Sequence, residues 1–102
     1  MMAEAALDAL AAAGCTAADR PLLTHCQILG ADLVARMAAS GVVANIQPSF
    51  TLTDAAFARA RLPAGLQAYA YIWKGLLAAG VRCAGGSDAP VETPNPLRGM
   101  HG

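Results

Sequence analysis

Val42-Val43-Ala44-Asn45-Ile46-Gln47, closed by Pro48, is the stretch on which the fold turns. It is apolar, opens with two β-branched residues and is too short for a stable helix, so it reads as a strand. Helical patterns flank it. Upstream, residues 31–40 put Leu33 and Met37 on one face, offer Asp32 and Arg36 as an exposed i,i+4 pair, and stop at Gly41. Before that helix, residues 22–29 form an apolar run interrupted by Thr24, His25 and Gln27, with Pro21 at its start, where a missing N–H is tolerated. Residues 3–13 read as a helix with Ala3, Leu7 and Leu10 on one face and Gly14 as its stop. Downstream, residues 54–61 read as a short helix with Thr53 as N-cap. Leu66, Tyr69, Ala70, Trp73, Leu76 and Leu77 keep helical spacing as far as Gly80. Residues 81–86 form a third strand that runs into Ser87-Asp88-Ala89-Pro90, and residues 93–102, with Pro94 and Pro96, read as loop.

Strand, helix, strand, helix, strand at this spacing predicts parallel strands joined by right-handed crossovers. Strands apolar on both faces are expected where helices cover them. Three strands leave two open edges and unpartnered helix faces, so the sequence reads as a piece of a larger (β/α) protein.

Composition narrows the class. Of 102 residues 56% are hydrophobic and 14% charged, with zero net charge, which excludes a disordered segment. No apolar run reaches the ~18 residues of a membrane span, and no basic cluster offers a footprint for nucleic acid. The first residues carry Glu4 and Asp8 and lack a basic region, so no signal peptide is expected. Cys15, Cys26 and Cys83 are odd in number and far apart, which fits free thiols in a reducing cytoplasm rather than a disulfide framework or a structural zinc site.

His25 and Asp88 fall at the C-terminal ends of the first and third strands, where parallel β/α folds bind ligands. An imidazole and a carboxylate suit a metal site or acid–base work. On pattern alone, a lone histidine in an apolar strand is more often a hydrogen-bonded core residue, and Asp88 after Gly85-Gly86 is as good a turn or N-cap residue. The two glycines lack the spacing of a phosphate loop. Cys26 and Cys83 read as inert strand thiols, Trp73 and Tyr69 as a core stripe, Tyr71 and Lys74 as solvated, and His101 as a surface residue.

Four stretches then occur in order: Thr24-His25-Cys26-Gln27; residues 41–48, Gly-Val-Val-Ala-Asn-Ile-Gln-Pro; residues 71–81, from Tyr71 through Trp73-Lys74-Gly75 to Val81; and residues 86–92, Gly-Ser-Asp-Ala-Pro-Val-Glu. Together they resemble the C-terminal half of the amidohydrolase family 3 barrel, the group that includes N-substituted formamide deformylase, over residues 3–99. The resemblance implies an α/β fold: part of a TIM (β/α)8 barrel holding strands six to eight, with residues 1–102 an incomplete C-terminal part of the barrel domain. It implies a divalent metal, zinc, with His25 as the strand-six ligand and Asp88 as ligand and general base on metal-activated water. It places Gln47, Pro48 and Phe50 at the substrate pocket. Phe50 stands where many relatives carry a histidine, which puts a substrate-contacting histidine in doubt.

The resemblance also implies the reaction: hydrolysis of carbon–nitrogen bonds other than peptide bonds, in a small amide-like substrate. The family's strand-one His-x-His, strand-four bridging residue and strand-five histidine have no counterpart in these residues. The chain is therefore expected to begin after strand five, to stop before the helix following strand eight, and to be inactive alone, completed by a missing N-terminal half or by self-association. The alternative is a non-catalytic remnant that associates through exposed strand edges.

Overall fold

The computed structural model describes residues 2–101. Three parallel strands, β1 (Leu22–Thr24), β2 (Val43–Ile46) and β3 (Cys83–Gly85), form one sheet in the order β1-β2-β3. That order has no reversal, so right-handed crossovers place successive helices on one side of the sheet. A doubly wound sheet, such as the flavodoxin type, instead reverses its strand order. Three parallel strands in chain order are what a segment of a (β/α)8 barrel contains.

Register decides which side chains enter the core. Leu23, Ala44 and Cys83 stand in one row across the sheet, and Thr24, Asn45 and Ala84 in the next. The first row packs into the core, while Thr24 and Ala84 are exposed and Asn45 half-buried. The sheet is thus covered on one face only, not on both as the apolar composition suggests, because successive residues alternate sides and the helices share one of them.

The core is built around β2 from the two helices before it, Leu29 of the loop after β1, and Leu76 and Val81 of the segment before β3. α1 (Met2–Ala12) contributes Leu7, with Ala3 and Leu10 alongside, and α2 (Ala31–Ser40) contributes Leu33, Val34 and Met37. α2 ends at Gly41, whose φ of +72° suits glycine. Arg36 reaches across to Asp8 of α1 at 2.7 Å rather than along its own helix to Asp32.

Four elements differ from the sequence reading. The first strand stops at Thr24 because His25 and Cys26 take φ of +74° and +50° and turn the chain out of the sheet. α3 (Phe50–Arg61) begins four residues early: a turn closed by Phe50 N–H on the Gln47 carbonyl starts it, and Thr53 lies inside it. The helix expected up to Gly80 is broken into α4 (Ala64–Gln67) and α5 (Trp73–Ala78). Between them the Leu29 N–H bonds to Tyr69 and the Tyr71 N–H to Gln27, so the segment pairs with the loop after β1 instead of coiling. Finally, residues 96–101 are a helix, α6 (Pro96–His101), not loop. Asn95 Oδ1 accepts the N–H groups of Leu97 and Arg98, and Pro96 stands where a first turn needs no donor.

Candidate functional site

β1 and β3 flank β2, so their C-terminal ends open onto one rim. The His25 N–H bonds to the Asn45 carbonyl at 2.9 Å and the Gly86 N–H to the Ile46 carbonyl at 2.9 Å, which extends both ladders one step beyond the strands. His25 then turns left-handed, and Asp88 does so too, with φ of +54°. Neither residue type adopts that conformation without cost, and such outliers gather at functional sites. The two side chains meet across the end of β2, with His25 Nε2 3.8 Å from Asp88 Oδ2. Both are about half exposed.

The contact is too long for a hydrogen bond, so the imidazole is not committed to the carboxylate. Each donor to a zinc ion lies about 2.0–2.2 Å from it, so two donors of one tetrahedral ion stand about 3.3–3.6 Å apart. The observed 3.8 Å is a little wider than that, and an imidazole nitrogen with a carboxylate oxygen is a donor set that suits zinc. Among the described residues, no group of three or more His, Cys, Asp or Glu side chains could hold a metal ion.

Gln47, Pro48 and Phe50 follow directly from β2. Gln47 is 1% exposed, Pro48 half-buried and Phe50 7% exposed. The Phe50 ring lies 6.1 Å from the His25 ring at 30°, and both line a groove of about 680 Å³ with Leu23, Thr24, Cys26 and Leu66. Gln47 points inward; its Nε2 donates to the Asn45 carbonyl at 3.3 Å. Asn45, read from the sequence only as part of a strand, serves here through its carbonyl, which also holds His25. No side-chain pattern announces a backbone acceptor.

Of the other residues singled out, Cys26 is buried just past β1 and its Sγ faces the Leu23 carbonyl. Burial, with Cys83 nearby, pushes its thiol up to about 11, and burial raises Cys83 as well. The three cysteines are free. Tyr71 is not solvated as expected: half-buried, it donates to Asp54 Oδ2 at 3.0 Å and sits edge-on to Trp73. Burial first, then Asp54, raises its phenol to about 12. Trp73 Nε1 donates to Thr51 Oγ1, while Lys74 and His101 are exposed. No helix among the described residues is long and apolar enough to cross a membrane.

Comparison with known proteins agrees with this fold. A crystal structure of an uncharacterized metal-dependent hydrolase from Pyrococcus furiosus superposes with a TM-score of 0.82 over 96% of this chain and 20% of that one, at 22% identity. One from Pyrococcus horikoshii OT3 does so at 0.82 over 95% and 19%, with 21% identity. In sequence, the chain is 38% identical over 78 residues to the putative amidohydrolase YtcJ of Bacillus subtilis (strain 168), which covers 76% of this chain and 15% of that protein. It therefore spans a fifth or less of the length of each of these relatives. The sequence model of the amidohydrolase family matches residues 2–102, and with nearly every residue inside that match, the chain belongs to the amidohydrolase family.

Proposed function

We propose that these residues are the His–Asp sector of a metal-dependent hydrolase that cleaves carbon–nitrogen bonds outside peptides, in small amides or formamides. The observation that carries this is the facing of His25 and Asp88 at 3.8 Å on the strand-end rim, each on left-handed backbone. His25 Nε2 and Asp88 Oδ2 are the donors that would hold the cation, zinc in this reading. When bound, zinc draws electron density from a substrate carbonyl and makes a nearby water more acidic. Asp88, half exposed, would take a proton from the attacking water as its oxygen adds to the carbonyl carbon, and would return it to the nitrogen as the carbon–nitrogen bond breaks. His25 would supply a lone pair through Nε2, and Phe50, beside the imidazole, would wall the substrate's side of the rim, with Pro48 and the buried Gln47 joining it to β2.

A catalytic zinc takes about three protein ligands and keeps one position open. Two donors bring less than that, so we read these residues alone as inactive, with the remaining donors supplied by further chain or by another molecule. Free thiols fit a reducing compartment, and the proposal places the protein in the cytoplasm. A second reading, a non-catalytic module that associates through its surfaces, draws on the exposed Leu22 at the sheet edge and on exposed Leu77, Leu97 and Met100.

Zinc titration of the 102-residue chain beside a His25→Ala/Asp88→Ala double variant tests the proposal. Weak binding by the parent that disappears in the double variant is expected. Equal binding by both would remove the pair from any metal role. Tight, stoichiometric binding by the parent would overturn the half-site reading.

A further inference from the structure

Two buried side-chain atoms among the described residues have no hydrogen-bond partner: Nδ1 of His25 and Oε1 of Gln47. Native proteins leave few such atoms unsatisfied. These two are complementary. A neutral imidazole can carry its proton on Nδ1 and donate it, whereas an amide oxygen can only accept. They are also tethered to one point. The Asn45 carbonyl accepts the His25 N–H at 2.9 Å and the Gln47 Nε2 at 3.3 Å, so both residues are anchored on the same oxygen.

The other faces of the two residues are already spoken for. Nε2 of His25 looks toward Asp88 at a distance beyond hydrogen bonding, and one face of the ring lies near Phe50. Gln47, 1% exposed, offers little surface to a substrate. It sits at the end of the central strand, between the two residues of the rim.

We infer that Gln47 is a positioning residue for His25: a small rotation of the two side chains brings its amide oxygen onto the Nδ1–H of the imidazole, which satisfies both buried atoms and leaves Nε2 bare toward Asp88. The tautomer of a histidine is set by the bond its other nitrogen makes, and a ring held this way presents a lone pair in a fixed direction. The functional meaning rests on the proposed role of His25 as a ligand, but the arrangement itself does not need metal.

The test is a nitrogen-15 spectrum of the histidine rings in the metal-free 102-residue chain at pH 9, where an imidazole is ordinarily neutral. The chain has two histidines, and a His101→Gln variant assigns the signals, with exposed His101 serving as the unconstrained reference. His25 is expected as the Nδ1–H tautomer. Gln47→Met keeps the length and removes the acceptor, so His25 should lose that preference and approach the mixture shown by His101. Gln47→Glu restores an acceptor oxygen and should restore the preference. An Nε2–H tautomer in the parent chain would overturn the inference, as would a Gln47→Met spectrum unchanged from the parent. Should the methionine variant lose its fold, the parent tautomer still decides. A Gln47-dependent tautomer in a chain that binds no zinc would sink only the proposed function. Zinc binding with Nε2–H in the metal-free chain would sink only the role of Gln47.

Discussion

Tyr71→Phe isolates one hydrogen bond in the crossover from β2 to β3. The crossover starts at Phe50, against His25, and is tied back by Tyr71 to Asp54 at 3.0 Å and by Trp73 to Thr51 at 3.0 Å. The substitution removes one oxygen and keeps the ring edge-on to Trp73. A hydrogen bond to a charged acceptor contributes about 1.5–3 kcal/mol. Solvent reaches this half-buried pair, so we expect a value at or below the lower end of that range, about 1–1.5 kcal/mol. For a chain of this size that is a fall in Tm on the order of 5–10 °C.

The same phenol has a pH signature, set first by its burial and then by Asp54. Tyr71 holds its proton up to about 12 in the folded chain against an ordinary value of 10.0. Between those values the folded state binds the proton and the unfolded state does not, so stability falls as pH rises from 10 to 12. After discounting for solvent, the loss is about 1 kcal/mol. Urea unfolding of the parent and of Tyr71→Phe at pH 8 and pH 11 measures it. The gap between the two proteins should be widest at pH 8 and narrower at pH 11. A gap that stays constant would refute the claim that the folded phenol keeps its proton; no gap at either pH would show that the Asp54 contact contributes nothing.

Two further expectations follow from burial and backbone. With a thiol pushed up to about 11, Cys26 should be about 1 in 1,000 thiolate at pH 8. Peptide mapping after brief iodoacetamide treatment should therefore find Cys26 almost unlabelled in the folded chain, and rapid labelling would refute this. Gly41→Ala and Gly80→Ala both force alanine into a left-handed conformation, at about 1–2 kcal/mol. Only at Gly41 would the new Cβ also strike another group, 2.5 Å from Ala17 Cβ, while nothing lies within 4 Å at Gly80. Gly41→Ala should thus melt lower than Gly80→Ala.

Local chemistry explains which parts of the fold were legible. The helices at residues 3–13 and 31–40 announced themselves because a buried stripe and a terminal glycine each leave a mark in the sequence. The parallel sense of the sheet came from alternation and chirality, and its consecutive order from the resemblance to a barrel. The break between α4 and α5 did not, since Leu66 to Leu77 keeps an unbroken helical stripe. It is imposed from outside, by backbone pairing of Leu29 and Tyr71 with partners some forty positions away. Such tertiary pairing overrides propensity. The helix at the tail was legible in principle, for Asn95-Pro96 is a good N-cap and first-turn pair that the proline content obscured.

The rim shows the same division. That His25 and Asp88 share an edge follows from strand order alone. That they meet does not, because next-nearest strands stand roughly 10 Å apart. In extended backbone, side chains from such strands would project from the sheet on their own strands. The left-handed turns at His25 and Asp88 swing both chains over the end of β2 and bring the side chains to 3.8 Å. The strained backbone at these residues is therefore the means by which two strands with another between them bring one imidazole and one carboxylate together. Its persistence requires anchors, and the structure supplies them in the carbonyls of Asn45 and Ile46, which hold His25 and Gly86 in the ladder immediately before each chain turns.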